Sequence, residues 1–265
     1  MTAIAVSIAG SDSSGGAGLQ ADLKTFSACG VYGATIITAL TAQNTRGVDA
    51  IHNVPADFVS QQFDSVFSDL AVNAVKIGML SEADIIHAVA DGLKRHKARS
   101  IVLDPVMVAT SGDVLLNQSA IDTLRTILLP CADLITPNLP EAAQLLDEPL
   151  APDETVMLAQ ARRLLALGPQ AVLIKGGHGN GAQSIDVLVT QTERRSFAAP
   201  RIATRHTHGT GCTLSAAIAA GLAKKMTLMD AVASAKSYLS AALAQADQLM
   251  IGHGSGPVHH FHAHW

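Results

Sequence analysis

The sequence predicts an α/β protein. It reads as a three-layer α/β/α sandwich with a mostly parallel central sheet and an antiparallel edge hairpin, in one domain over residues 1–265. Three observations carry this. Short apolar runs rich in β-branched residues alternate with stretches of helical spacing, the order of a parallel sheet with crossover helices. Polar residues follow directly on most of the apolar runs. From about Ile185 the alternation gives way to two neighbouring strand-like runs, which read as a hairpin on the sheet edge.

Taken in order, Ala3–Gly10 is a short apolar run ending in glycine, a buried strand. Ser11–Gly18 is a polar, glycine-rich loop, and Leu19–Ala28 reads as a helix. Val31–Thr41 is rich in β-branched residues, a second strand ending at Ala42-Gln43-Asn44-Thr45. Pro55–Leu70 has helical spacing in Phe58, Val59, Gln62, Phe63, Val66 and Phe67. Ala74–Ile77 is a strand closing on Gly78-Met79, with a helix from Ser81 to about His96. Ile101–Leu103 delivers Asp104-Pro105 at its end. A helix near Ser119–Leu129 precedes Leu134-Ile135-Thr136, which delivers Pro137-Asn138. Glu141–Leu146 and Glu154–Leu167 are helices, and Ala171–Ile174 is a strand ending at Lys175-Gly176-Gly177-His178. Ile185–Thr190 and Arg194–Ala199 form the hairpin, before a helix opening near Gly209 and an amphipathic one from Leu228 to about Gln248. No linker or internal repeat divides the chain, so one domain is expected.

Composition narrows the function. Apolar residues make up 48% of the chain, ample for a core, yet no run of eighteen marks a membrane span. The start, Met1-Thr2-Ala3-Ile4, lacks the basic flank of a signal peptide. A net charge of −4, with aromatics at 3% and no basic run, argues against nucleic-acid binding. Cys29, Cys131 and Cys212 are odd in number and widely spaced, which suits a reducing cytoplasm better than a disulfide framework.

The stretch His208-Gly209-Thr210-Gly211-Cys212-Thr213-Leu214-Ser215 leads into the Ala-rich run 216–223. Glycines followed by hydroxyl residues and helix formers read as a loop turning into a helix N-terminus, whose free N–H groups and dipole favour an anion. Cys212 falls in the first turn, where that positive end is expected to lower a thiol's pKa. An anion cradle with a potential base inside it suggests phosphoryl transfer; the plain alternative is a packing turn beside a buried cysteine.

Asp12, Gln43, Asp104, Asn138 with Glu141, and Lys175 all fall immediately after predicted strands. Ligands of open α/β sheets bind outside those carboxyl ends. Singly, Asp104 and Asn138 could be helix caps and Lys175 a solvated cation. Two rival motifs fit less well. Gly10–Gly16 has Walker spacing but Ala17 where lysine belongs. Gly16-Ala17-Gly18-Leu19-Gln20-Ala21 fits a dinucleotide fingerprint, the basis for an NAD-dependent oxidoreductase, yet it begins six residues after its strand and has no acid for a ribose. The histidines at 253, 259, 260, 262 and 264, with His206 and His208, raise structural zinc, but their irregular spacing supplies no tetrahedral set.

Together, Gly10-Ser11-Asp12-Ser13-Ser14-Gly15-Gly16-Ala17-Gly18-Leu19-Gln20-Ala21-Asp22, Thr41-Ala42-Gln43-Asn44-Thr45, Asp104-Pro105-Val106-Met107, Thr136-Pro137-Asn138-Leu139-Pro140-Glu141, Lys175-Gly176-Gly177-His178 and the Gly209 loop resemble one family in the same order. It is the hydroxymethylpyrimidine/phosphomethylpyrimidine kinase family of thiamine biosynthesis, a ribokinase-like branch, and the resemblance spans the chain including Gly252–His262. It implies a ribokinase-like fold without a separate lid domain, a cytoplasmic homodimer, and no membrane or nucleic-acid partner. It implies ATP and Mg²⁺ acting on 4-amino-5-hydroxymethyl-2-methylpyrimidine and then on its monophosphate. Cys212, where sugar kinases carry Asp, is implied as general base, within an anion hole of Gly209, Thr210, Gly211 and Cys212. Asp104 and Glu141 are implied at Mg²⁺, Lys175 and Asn138 at ATP, and Gln43, Gly10, Ala17, Asp22 and Met79 around the pyrimidine. Pyridoxal kinases, some of which share the cysteine, are the nearest alternative. Position 110 is Thr where some relatives have Lys, and no role is assigned to it.

Overall fold

Consecutive residues along the inner strands face opposite helical layers, the period-two signature of a sheet covered on both sides. In the computed structural model, which describes residues 2–108, 116–179 and 181–265, that sheet has nine strands. They are β1 (Ile4–Gly10), β2 (Tyr32–Asn44), β3 (Gly47–Asn53), β4 (Ala74–Ile77), β5 (Ile101–Leu103), β6 (Leu134–Ile135), β7 (Ala171–Ile174), β8 (Gln183–Thr190) and β9 (Arg194–Pro200). Their order is β3-β2-β1-β4-β5-β6-β7-β8-β9. The run from β2 to β7 is parallel, whereas β3, β8 and β9 pair antiparallel at the two edges.

The helices are α1 (Gly18–Ala28), α2 (Ala56–Asp69), α3 (Ala83–Arg95), α4 (Gln118–Thr123), α5 (Leu139–Leu146), α6 (Glu154–Leu165), α7 (Thr210–Ala223) and α8 (Leu228–Ala244). On one face Val6, Val75, Leu103, Ile135 and Val172 pack with α2 to α6. On the other, Ala5, Ala74, Val102, Leu134 and Ala171 pack with α1, α7 and α8. Three alanines among those five strand positions let α7, itself Ala-rich, lie deep against the sheet. No helix among the described residues is long and apolar enough to cross a membrane.

The expected architecture is present, with three local differences. β3 was not anticipated, because Gly47–Asn53 is largely exposed and carries no apolar alternation; the turn at Thr45-Arg46 and pairing with β2 define it instead. β2 therefore continues past Thr41 to Asn44, with a bulge between Ala42 and Gln43. The helix expected near 119–129 is α4 followed by a π turn over Leu124–Leu128 and a 3₁₀ turn ending at Cys131. Pro130, which cannot donate a backbone bond, lies in that last turn.

The segment after α8 returns to the middle of the molecule. His208 donates its N–H to the Gly256 carbonyl at 3.1 Å, and Gly254 donates to Thr45 Oγ1 at 3.1 Å. Tyr238 donates its hydroxyl to the His260 carbonyl at 2.7 Å, and His260 Nε2 lies 3.1 Å from Thr213 Oγ1. Burial pulls the His260 imidazole down to about 3, so it stays neutral in this contact.

Candidate active site

The parallel strands all end on one side, and a cleft of about 430 Å³ opens there. This is where open α/β sheets bind ligands, because strand ends and helix N-termini leave backbone groups and loop side chains free. Its wall includes Gly10, Ala17, Gln43, Met79, Asp104, Asn138, Glu141, Lys175 and Gly209 through Cys212. Twelve of the thirteen sequence-derived site residues thus share one cavity; the thirteenth, Asp22, does not.

At the centre of the cleft, Gly209 caps α7 with φ 78°, a left-handed conformation that favours glycine. A side chain there would also run into the Gly16 carbonyl. No side chain caps α7; Thr210 donates its N–H to the Thr207 carbonyl at 3.3 Å, and Gly211 and Cys212 follow it on the cleft wall. Gly211 lies directly over two ionic groups: a Cβ there would sit 3.2 Å from Lys175 Nζ and 3.3 Å from Asp104 Oδ2.

Those two form the ionic floor. Lys175 Nζ is 2.6 Å from Asp104 Oδ1 and 3.9 Å from Glu141 Oε2. Thr136 donates to Asp104 Oδ1 and Ser215 to Oδ2, each at 3.2 Å. Burial opposes the Lys175 charge, but Asp104 and Glu141 outweigh it and hold the lysine above its ordinary range. Burial also pushes the Glu141 carboxyl well up, aided by Asp104 and opposed by Lys175. Asn138 caps α5 in a reciprocal box: it accepts from Glu141 N at 2.8 Å and donates its own N–H to Glu141 Oε2 at 2.7 Å. The cap alternative for Asn138 is therefore real, and it coexists with a place on the cleft wall.

Cys212 departs from expectation. Burial pushes its thiol up to about 11, against the pull of the Lys76 cation, with Asp22 and Asp104 adding to the rise and the Gly18 N–H opposing it. Lost solvation and two nearby carboxylates thus outweigh the Lys76 cation and the Gly18 N–H. Asp22 is fully buried behind the wall, where it takes bonds from Ser7 and from Lys76 Nζ at 2.8 Å. Its remaining oxygen, Oδ1, has no partner.

The loop after β1 is wound around Asp12. Its carboxylate accepts from the N–H groups of Ser14, Gly16 and Ala17, from the Ser14 hydroxyl, and from His208. Gly10 and Met79 are neighbours, the Met79 sulfur lying 3.3 Å from where a Cβ on Gly10 would be.

Sequence reasoning missed Lys76, Asp186 and Lys236. Each is a charge inside an apolar strand or helix, the signal that could have found it, since a buried charge needs a partner. Lys236 Nζ lies 2.7 Å from Asp186 Oδ2, while Asp186 Oδ1 accepts the Gly176 N–H at 2.9 Å. This fixes the turn after Lys175. Beside it Pro200, Ile202, Leu214, Leu239 and Leu243 make an apolar stretch of wall. Thr110 lies outside the described residues.

Among the described residues no three His, Cys, Asp or Glu side chains converge as a metal cage. Asp104 and Glu141 offer hard oxygen donors already engaged by protein N–H and O–H groups. That suits a hydrated Mg²⁺ brought in with phosphate, held partly through water, rather than a stripped ion.

Comparison with known proteins places the chain in a family. A family model described as phosphomethylpyrimidine kinase matches residues 12–259. The chain is 60% identical over 261 residues, 98% of either chain, to the hydroxymethylpyrimidine/phosphomethylpyrimidine kinase of Salmonella typhimurium. Among solved structures, an ADP complex of Bacillus subtilis pyridoxal kinase superposes with a TM-score of 0.91 at 36% identity, covering 98% of each chain. A phosphomethylpyrimidine kinase from Clostridium difficile superposes at 0.81 with 41% identity, over 91% of this chain and 99% of that one.

Proposed function

The chain belongs to the phosphomethylpyrimidine kinase family, and from that premise we propose how its cleft works. The γ-phosphoryl group of ATP passes to the hydroxyl of 4-amino-5-hydroxymethyl-2-methylpyrimidine, and a second passes to the resulting monophosphate, within thiamine biosynthesis. The observation that carries this is the uncapped N-terminus of α7 set over the Lys175–Asp104 pair. Phosphoryl transfer requires charge stabilisation and alignment more than covalent help.

Each part of the wall then has a task. The N–H groups at Gly209, Thr210, Gly211 and Cys212 face the oxygens of the transferring group, where charge develops. Lys175 neutralises nucleotide phosphate, and Asn138 borders the same end. The apolar stretch at Ile202, Leu239 and Leu243 receives the nucleotide base. Asp104 and Glu141 would hold Mg²⁺ through its waters, and the ion would neutralise phosphate charge when bound. Gly10, Ala17, Gln43 and Met79 border the pyrimidine, and Asp22 acts from behind through Lys76.

In the first transfer the alcohol oxygen bonds to phosphorus as the bond to ADP breaks, and the hydroxyl proton passes to the thiolate form of Cys212. With the thiol pushed up to about 11, roughly one molecule in 10⁴ carries the thiolate at pH 7, so the rate of this step rises with pH. In the second transfer the attacking atom is an anionic phosphate oxygen with no proton to lose. Cys212 is then needed only for its backbone.

The superposition on a pyridoxal kinase favours a second reading, in which pyridoxal is also an accepted alcohol. ATP turnover against hydroxymethylpyrimidine, its monophosphate, pyridoxal and ribose tests both. Turnover of pyridoxal alone would overturn the leading reading. The same proposal makes the enzyme a cytoplasmic homodimer, which sedimentation equilibrium checks.

A further inference from the structure

We propose that Thr41 sets the direction of the Gln43 amide, and so the order of donor and acceptor that the cleft offers to a flat heteroaromatic substrate. The inference deepens the reading of Gln43 as the group facing the pyrimidine and rests on it.

The backbone here is tightly held. A bulge between Ala42 and Gln43 turns Gln43 toward the cleft, the use that bulges commonly serve. The bulge is laced to the loop after β1. Thr41 donates its N–H to Ser11 Oγ at 3.1 Å, and Gln43 donates its N–H to Ser13 Oγ at 2.8 Å. The Ser13 hydroxyl in turn lies 3.0 Å from the Thr41 carbonyl and 2.9 Å from that of Gln43. With the backbone anchored, the direction of the terminal amide is the remaining choice, and its oxygen and nitrogen ends are nearly equal in shape.

Thr41 makes that choice. Its buried Oγ1 lies 2.9 Å from the Ser11 carbonyl and 3.1 Å from Gln43 Oε1, so two acceptors face its one proton. A hydroxyl has one proton and two lone pairs. The Ser11 carbonyl can only accept, so the shorter contact takes the proton. Turning the amide over exchanges its two ends with almost no change of shape, and it puts Nε2 at Oγ1 as a donor. All three groups are satisfied only in that arrangement; an amide oxygen there would leave two acceptors facing each other. The second N–H and the carbonyl of Gln43 remain on the cleft side in one fixed order. An aminopyrimidine edge presents an amino donor beside a ring-nitrogen acceptor, and it pairs with a side-chain amide in only one such order.

The test is a double-mutant cycle read as steady-state KM and kcat. Thr41→Val keeps the shape and removes the hydroxyl. It should raise KM for hydroxymethylpyrimidine about three- to tenfold, the scale of one lost hydrogen bond, with kcat and the KM for ATP changing less than about twofold by the same reasoning. Thr41→Ser, which retains the hydroxyl, should restore KM. In a Gln43→Leu background Thr41→Val should add nothing. Thr41→Ala replaces Val in the cycle if the valine variant does not fold. Unchanged pyrimidine KM in Thr41→Val, beside a raised KM in Gln43→Leu, would overturn the role of Thr41 alone. Unchanged KM in Gln43→Leu would overturn the underlying reading and this inference with it. A full effect of Thr41→Val in the Gln43→Leu background, or equal rises in KM for ATP, would show a purely structural residue.

Discussion

His208 Nε2 and Asp12 Oδ2 lie 2.8 Å apart, although 196 residues separate them in the chain. The pair joins the loop after β1 to the loop that opens α7. Burial by itself would raise the Asp12 carboxyl; bonds from His208, Ser14 and Ala17 outweigh it and hold Asp12 at about 2.

That depression makes a pH-dependent contribution to stability. A carboxyl lowered on folding stabilises above its unfolded value of 3.8, and the contribution is lost as pH falls from there through about 2. Its size is about 2 kcal/mol at neutral pH, from just under two units at 1.36 kcal/mol each. Asp12→Asn should therefore be less stable than the parent by roughly that amount at pH 7 in urea unfolding. The gap should close as pH approaches 2. A gap independent of pH would remove the ionised carboxylate from the account.

Cys212→Ala separates the two reactions. If Cys212 takes the hydroxyl proton, kcat for hydroxymethylpyrimidine should fall by about 10²–10⁴. For the monophosphate, whose attacking oxygen has no proton, kcat should change far less. The ratio of the two rates in the parent enzyme should climb with pH toward about 11, because more of the thiol is ionised. Near-normal kcat for hydroxymethylpyrimidine would eliminate the base role and leave only the backbone of α7.

Lys76 and Asp22 are wholly buried and 2.8 Å apart. Removing one partner leaves an unpaired charge in the interior, so Lys76→Met should cost about 3–5 kcal/mol in chemical denaturation. Lys76→Met combined with Asp22→Leu should recover most of it. Recovery of stability without recovery of kcat would mark the cation as acting on the Cys212 thiol. A double variant as unstable as the single one would contradict the pairing argument.

If Asp104 and Glu141 hold Mg²⁺ as proposed, Asp104→Ala and Glu141→Ala should each weaken its apparent affinity in turnover assays and lower kcat, since the ion would screen phosphate charge. Superimposable Mg²⁺ titrations for both variants and parent would take the two residues away from the metal.

The parts of the site that could be read from the sequence are those where topology does the placing. Asp104, Asn138 and Lys175 each follow an apolar strand, and parallel strands end on one side, so their convergence follows from the fold. The Gly209 loop was readable because glycine before a helix former has a local meaning. Asp186 and Lys236 were not, because their partnership depends on how α8 crosses the β8–β9 hairpin. The Asp12–His208 bond likewise depends on a contact between the first and last quarters of the chain. Asp22 sits in a glycine-rich motif that points toward the cleft, yet α1 turns its carboxylate behind the wall to meet Lys76. The state of Cys212 was misjudged for a related reason: helix position is visible in sequence, whereas desolvation and neighbouring carboxylates are not.

The segment that returns past Thr45 and His208 has a consequence for how the enzyme comes into being. A chain growing from its N-terminus completes all nine strands by Pro200. At that point the Asp12 loop still has no histidine partner and the α7 cradle does not exist. The brace from Gly254, Gly256 and His260 comes later still, within the last dozen or so residues. A product that stops after β9 would therefore lack both the α7 N-terminus and the histidine that holds the Asp12 loop.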